Sequence, residues 1–257
     1  MSTTKSLSIT VVIHTRNEEN HIVACIKSAQ NLSPNIVVID MESTDKTCKR
    51  ASEAGAKVVT TSFSYYVEPA RGFGIQQAKT PWVFILDADE RISPELAQEI
   101  HNLITQTDHT HFKVPRKNIF GTKWLKYGGW SPDYQLRLIN TGAFQSWPAA
   151  IHSTPRINGT MGYLKNTITH FFHGNFEKMV EKTMIFENIE SDLLFKAGRK
   201  SSTLIFFRKF AGELFRRLIK NKGYRDGTVG IMESIYQAYS KTITYLYLYE
   251  KQTSSSI

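Results

Sequence analysis

The apolar positions of the first hundred residues follow two rhythms. Short aliphatic, β-branched runs at Ser8–His14, Ile36–Ile39, Lys57–Thr61 and Trp82–Leu86 predict strands. Between them lie stretches with a helical period. Glu18–Gln30 places Ile22, Cys25, Ile26 and Ala29 on one face, Thr44–Ala54 opens with the cap-forming Ser-Thr-Asp, and Pro69–Lys79 reads as a third helix. Ser93 and Pro94 supply the N-cap and first position of a fourth helix, reaching about Ile104. Strand and helix alternating over short links predict a parallel sheet covered on both faces, an α/β fold. Such sheets bind ligands beyond the carboxyl ends of their strands.

The pattern changes after Asp108. Short aromatic segments broken by Gly and Pro predict mixed strands and loops that extend the sheet and wall off a pocket. Around Asn175 the helical period returns. Phe207, Phe210, Ala211, Leu214 and Leu218 recur at i, i+3, i+4, i+7 and i+11. The stretch Asn221–Gly230 breaks that helix, a Tyr-rich helix follows to Lys251, and Thr253–Ile257 reads as a frayed tail. The expected plan is an α/β domain over 1–175 in two parts, 1–107 and 108–175, which the resemblance described below implies are the nucleotide-binding and acceptor halves of a catalytic domain. A helical, basic extension covers 176–257.

Charge adds a partner class. The chain of 257 residues carries a net +9, and nine Lys/Arg against the single Glu213 fall between Arg199 and Arg225. There the cations interleave with Phe206, Phe207, Phe210, Phe215 and Leu218, the composition of a helix that lies on an anionic membrane surface. The alternative is a helix docked on its own domain with a solvated basic face. Nucleic acid fits poorly, because no binding motif is present and the aromatics sit among aliphatics in a stripe. No apolar run approaches the roughly 20 residues needed to span a bilayer. The opening residues fit a first strand better than a signal peptide. Cys25 and Cys48, without metal-type spacing, read as small buried residues in a reducing compartment. The expected location is cytoplasmic, peripheral on the inner face of the membrane.

The strand ends carry the chemistry. The first strand runs into His-Thr-Arg-Asn-Glu-Glu-Asn, with none of the glycines that let backbone amides cradle a pyrophosphate. The second ends on Asp40, at a place where an acid commonly hydrogen-bonds a ribose or a base edge. The fourth ends on Asp87-Ala88-Asp89, followed by Glu90. Two carboxylates spaced i, i+2 at a strand end can serve one hard divalent ion, Mg²⁺ or Mn²⁺, shared with substrate phosphates. Arg71 can add a fixed fork to the same diphosphate. The alternative is a solvated acidic turn.

Four separated segments occur in order: "VVIHTRNEENHI", "IVVIDMESTDKT", "ARGFGIQQAKTPWVFILDADERISPEL" and "YQLRLIN". Together, over Leu7 to Ile157, they resemble the family 2 glycosyltransferases, and more closely the branch of lipopolysaccharide-core glucosyltransferases. The resemblance implies a GT-A fold and transfer of a sugar, with inversion, from a nucleotide-diphosphate donor such as a UDP-sugar. The acceptor would be a glycan or lipid-linked sugar. It implies Thr15 and Glu18 near the nucleotide base, Asp40 on the uracil or ribose, Arg71 facing the donor, Asp87 on the ribose and Asp89 on the metal. Three departures stand out. Glu42 replaces a usual Gly, Gly72 a usual Asn, and His152-Ser153 the His-Glu frequent in the related branch.

An inverting displacement needs a base opposite the leaving group. The candidates are Asp133, in a Gly/Pro-flanked loop, and His152. Asp133 is preferred because a carboxylate is usual in the family the chain resembles. His109/His111 and His170/His173 have zinc-like spacings but no matching acids, whereas zinc needs at least three protein ligands in one place. His170 matches a histidine common after the core domain in related sequences and would border the acceptor. Trp124, Trp130 and Trp147 would stack on sugars or pack. Rival readings are a sugar-nucleotide nucleotidyltransferase, which would want a Gly-rich loop after the first strand, and an inactive GT-A domain acting as an assembly partner.

Overall fold

The computed structural model describes residues 8–172 and 176–254. Leu7, His173, Asn175 and the last three residues of the expected tail lie outside the described residues. The chain forms two units, one of residues 1–117 and 133–170, the other of residues 118–132 and 171–257.

In the first unit four parallel strands stand in the order β3 (Lys57–Thr60), β2 (Ile36–Asp40), β1 (Ile9–Thr15) and β4 (Trp82–Asp87). The helices α1 (Ile22–Ala29), α2 (Thr47–Glu53) and α3 (Glu68–Gln76) connect them. Beyond β4 come β5 (Glu90–Ile92) and α4 (Pro94–Leu103), then β6 (His111–Phe120), β7 (Lys123–Trp124) and β8 (Asp133–Asn140). Strand β8 pairs antiparallel with both β4 and β6, so the sheet becomes mixed on that side, as expected. Four short strands complete the set: β9 (Phe144–Ser146), β10 (Arg156–Ile157), β11 (Met161–Tyr163) and β12 (Ile168–Phe171).

Period-two alternation explains the double-sided burial. Val11 and Ile13 of β1 face a core with Ile22, Ile26, Phe84 and Leu96, whereas Val12 faces a second core with Ile39, Ala70, Ile75 and Ile85. Ser93 caps α4 as expected, its hydroxyl accepting the Leu96 N–H at 3.2 Å. Two expected helices begin late. Helix α1 starts at Ile22, not Glu18, because Asn17 adopts a left-handed backbone (φ 52°) and residues 16–21 form a loop. Helix α2 starts at Thr47 because Ser43, Thr44 and Asp45 spend their polar groups on lacing loops together. Strand β5 was not foreseen; it pairs antiparallel with β12, setting His170 opposite Glu90.

In the second unit α5 (Phe176–Lys196) and α6 (Thr203–Leu214) both pack on α7 (Gly227–Ser254). Thr253, expected in the frayed tail, is helical. Asp226 accepts the backbone N–H groups of Lys126 and Tyr127, each at 2.8 Å, which ties the 118–132 segment to the start of α7. Trp130 stacks on Phe172 with ring centroids 4.6 Å apart. The expected stripe on α6 splits. Phe206, Phe210 and Leu214 are half-buried, while Leu204 and Phe207 point outward and are 77% and 61% exposed. The π-helical turn Phe215–Lys220 continues this outer face with Phe215 and Ile219, 61% and 51% exposed. No helix among the described residues is long and apolar enough to cross a membrane.

Candidate active site at the strand ends

Register brings the expected strand-end residues side by side. Thr15 pairs with Asp40 across β1 and β2, and His14 pairs with Asp87 across β1 and β4. The loops after β1 and β2 are laced together above them. Ser43 Oγ accepts the Asn17 N–H at 2.9 Å, Asn17 Oδ1 accepts the Thr44 N–H at 2.8 Å, and Thr47 Oγ1 accepts the Glu18 N–H at 2.9 Å. Asp40 is buried and accepts both the N–H and the hydroxyl of Ser43. The buried Thr15 hydroxyl has no hydrogen-bond partner among the described residues. Buried polar groups are normally paired, so an unmet hydroxyl at a strand end is a place for a ligand.

The acidic cluster after β4 is neutralised in a chain. Asp87 accepts Arg71 Nη2 on Oδ1 at 2.8 Å and Arg137 Nη2 on Oδ2 at 2.6 Å. Arg137 Nη2 also reaches Glu90 Oε1 at 2.7 Å, and Glu90 Oε2 accepts the Asp87 N–H at 3.0 Å. Arg116 closes the chain, with Nη1 3.5 Å from Glu90 and Nε 2.8 Å from Asp133 Oδ2. Three guanidiniums thus meet three carboxylates. Burial opposes ionisation of Asp87, but Arg137 and Arg71 outweigh it and hold its carboxyl well below the usual range. Arg137 is likewise pulled down by burial and pushed up, on balance, by Asp87 and Glu90. The repulsion that the bare sequence raises is therefore relieved at Asp87 and Glu90 by arginines.

His14 orients Arg71. Its Nε2 lies 3.2 Å from the Ala70 carbonyl and its Nδ1 3.4 Å from Arg71 Nη1. Burial first, then the Arg71 charge, lowers its pKa to about 3, so the ring is neutral at physiological pH. A neutral ring can donate from Nε2 to Ala70 and accept at Nδ1 from Arg71. Gly74 permits this approach of α3 to β1, because a Cβ there would lie 2.7 Å from His14 Nε2 and 2.8 Å from Val12 Cγ1.

Asp89 faces another way. Its Oδ2 lies 3.5 Å from His170 Nε2, both side chains half-buried. Among the described residues no group of three His, Cys, Asp or Glu side chains could hold a metal ion. A hard divalent ion that binds substrate phosphates needs only one or two protein groups, the rest coming from phosphate and water. Asp89 with His170 fits that reduced demand. A zinc site would need more. His109 instead hydrogen-bonds the Thr160 hydroxyl, and His111 lies elsewhere, on the wall of a cavity.

That cavity, of about 490 Å³, lies on the first unit. Arg71, Arg137, Lys113, Trp147, His152 and Glu68 line it, and Glu68 is its only acid among the described residues. Trp147 stands over Gly72, 3.7 Å from where a Cβ would sit, and 5.8 Å from the Arg71 guanidinium. The Cβ of the Asn usual there in the resembled family would touch the Trp147 Cβ and backbone at ordinary contact distance. His152 is exposed, with a left-handed backbone (φ 57°), and its N–H donates to Glu68 Oε1 at 2.9 Å. Asp133 does not line the cavity; it accepts Arg116 and Gln135 Nε2, the latter at 2.6 Å. Trp130 packs in the second unit, and Trp124 lies 4.3 Å from Lys126 Nζ. Cys25 is buried as expected and Cys48 only half so. Burial, then Asp40, raises the Cys48 thiol to about 11, which leaves it protonated and inert.

Sequence reasoning missed His14, Glu68, Arg116 and Arg137, and named Glu90 only as part of the acidic cluster. A signal existed for Arg137: an arginine inside the apolar run Leu136–Ile139 is buried only if carboxylates meet it.

The model of the family "Glycosyl transferase family 2" matches residues 10–178. An uncharacterized glycosyltransferase of Rickettsia conorii is 25% identical over 98% of this chain and 94% of its own length. The lipopolysaccharide core biosynthesis glycosyltransferase LpsC of Rhizobium meliloti is 25% identical over 95% of this chain and 93% of its own. Among solved structures, S. aureus TarS 1–349 superposes with a TM-score of 0.51 at 14% identity, covering 96% of this chain and 92% of that one. Glucosyl-3-phosphoglycerate synthase from Mycobacterium tuberculosis superposes at 0.50 with 16% identity, covering 76% and 81%. The fold is GT-A.

Proposed function

The chain belongs to glycosyltransferase family 2, and from that premise we propose that it moves a sugar, with inversion, from a UDP-sugar donor to a glycan or lipid-linked acceptor. The setting proposed is cell-envelope polysaccharide or lipopolysaccharide synthesis at the cytoplasmic face of a membrane. The observation that carries the donor site is the register aligning Thr15 with Asp40 and His14 with Asp87 at the carboxyl ends of adjacent parallel strands. Ligands of open α/β sheets bind there.

In this reading the unpaired Thr15 hydroxyl and the Glu18 loop meet the nucleotide base. Asp40 and Asp87 face the nucleoside, Asp87 toward the ribose. Arg71, fixed by Asp87 and by the neutral His14, offers its guanidinium to the diphosphate as charge gathers on the leaving group. Mg²⁺ or Mn²⁺, held by Asp89 and His170, would supply the remaining positive charge against that diphosphate. Trp147 and His152 belong to the acceptor side of the same cavity.

The second unit supports the membrane part of the proposal. Sixteen of the nineteen exposed large apolar side chains among the described residues belong to it. Leu204, Phe207, Phe215 and Ile219 share the outer face of α6 and its continuation with Arg208, Arg216 and Lys220. An exposed apolar stripe flanked by cations suits an anionic lipid surface.

Thermal unfolding with UDP, with and without Mn²⁺, tests the donor site. Ligand binding to the folded state raises the midpoint. A rise that Mn²⁺ enlarges supports the reading, and an unchanged midpoint under both conditions contradicts it.

A further inference from the structure

We infer that Glu68 is the catalytic base that takes the proton from the acceptor hydroxyl. The inference rests on the transferase reading and adds a residue to it. Each other carboxylate near the strand ends is already engaged. Asp87 holds Arg71 and Arg137, the fully buried Glu90 holds Arg137, Asp133 holds Arg116 and Gln135, and Asp89 faces His170. Among the described residues Glu68 is the one acid on the wall of the 490 Å³ cavity, in a lining otherwise rich in cations.

Its placement suits the task. Glu68 is the first residue of α3, one helical turn before Arg71, so both side chains leave the same face. A side chain on a helix is held more firmly than one on a loop. The His152 N–H bonded to Oε1 fixes one oxygen and leaves the second for a substrate hydroxyl. This contact also gives a reason for the left-handed backbone of His152, which otherwise costs energy.

The step balances. The acceptor oxygen forms a bond to the anomeric carbon from the face opposite the diphosphate. Its proton passes to the Glu68 carboxylate, and the bond from the anomeric carbon to the diphosphate breaks with its electron pair leaving on the phosphate oxygen. Loss of a general base typically slows such a step about 10²–10⁴-fold.

The test measures UDP release from UDP-sugars with water as the acceptor, alongside UDP binding, for wild type, Glu68→Gln, Glu68→Asp, Asp133→Asn and His152→Ala. Azide is then added to Glu68→Ala, because azide attacks without needing deprotonation. The expected results are a fall of about 10²-fold or more in kcat for Glu68→Gln with UDP affinity retained, partial recovery in Glu68→Asp, and a glycosyl azide from Glu68→Ala. A fall confined to Asp133→Asn or His152→Ala, or a Glu68→Gln enzyme at wild-type kcat, overturns the assignment. If wild type binds no UDP and releases none, the transferase reading itself fails, which is a different outcome from an active wild type with an indifferent Glu68 variant.

Discussion

Arg71 and Asp87 form an ion pair of 2.8 Å between α3 and the end of β4, and Arg137 grips the other oxygen of the same carboxylate at 2.6 Å. Removing one partner of a buried pair leaves charge uncompensated, at a cost of about 3–5 kcal/mol. Asp87→Ala is expected to lose stability in that range by urea unfolding, because it strands Arg71 and leaves Arg137 with Glu90 alone. A loss below about 1 kcal/mol, the size of a surface pair, would show that the pair is solvated in solution.

The same cluster predicts an acid sensitivity with two windows. His14 has its pKa lowered from 6.5 to about 3, so below about pH 6.5 the unfolded chain binds a proton that the folded chain refuses. Stability therefore falls as pH drops from about 6.5 toward about 3. Asp87 is depressed below the ordinary carboxylate value, so its contribution is intact above about pH 4 and is lost only below it. Replacing His14 with Gln should flatten the stability curve in the upper window alone. An unchanged slope there would mean that His14 is not buried neutral.

Backbone geometry makes a third prediction. Glu42 occupies a left-handed conformation, φ 56°, where glycine carries no Cβ penalty. Glu42→Gly should raise stability by roughly 1 kcal/mol. Gly74→Ala should do the reverse, by about 1–3 kcal/mol, since its Cβ would press on His14 and Val12. Denaturant midpoints for both variants check the pair.

These positions also show what the sequence made legible. Strands β1, β2 and β4 could be read because each is a largely apolar buried run, β3 from its Val58-Val59 pair, and Asp40 and Asp87 because a carboxylate after such a run is conspicuous. Glu42 stood out as a side chain where the resembled family has Gly, and its backbone angle supplies the reason. The partners were harder to see. Arg116 and Arg137 lie on β6 and β8, and only the antiparallel register carries them to Asp133, Asp87 and Glu90. Glu68 is far from His152 in the chain, and no local period announces their contact. Contacts between distant segments follow from topology, which a one-dimensional pattern of polar and apolar residues does not encode.

The outer face of α6 gives a fourth prediction. Flotation of the protein with vesicles of phosphatidylcholine plus phosphatidylglycerol should exceed that with phosphatidylcholine alone, and added salt should weaken it. Phe207→Ser combined with Phe215→Ser, both at exposed positions, should reduce flotation about tenfold without loss of fold, since each removes apolar area that would be inserted. Equal flotation with both vesicle types would remove anionic lipid as the partner.

The most direct measurement is release of nucleoside diphosphate from a panel of nucleotide sugars, with Mn²⁺ present, by wild type and Asp89→Ala. The account predicts release from at least one UDP-sugar by wild type and a loss of about 10²-fold or more in the variant, the scale of removing one electrostatic stabiliser of a leaving group. No release from any sugar nucleotide, or full activity in Asp89→Ala, would contradict it.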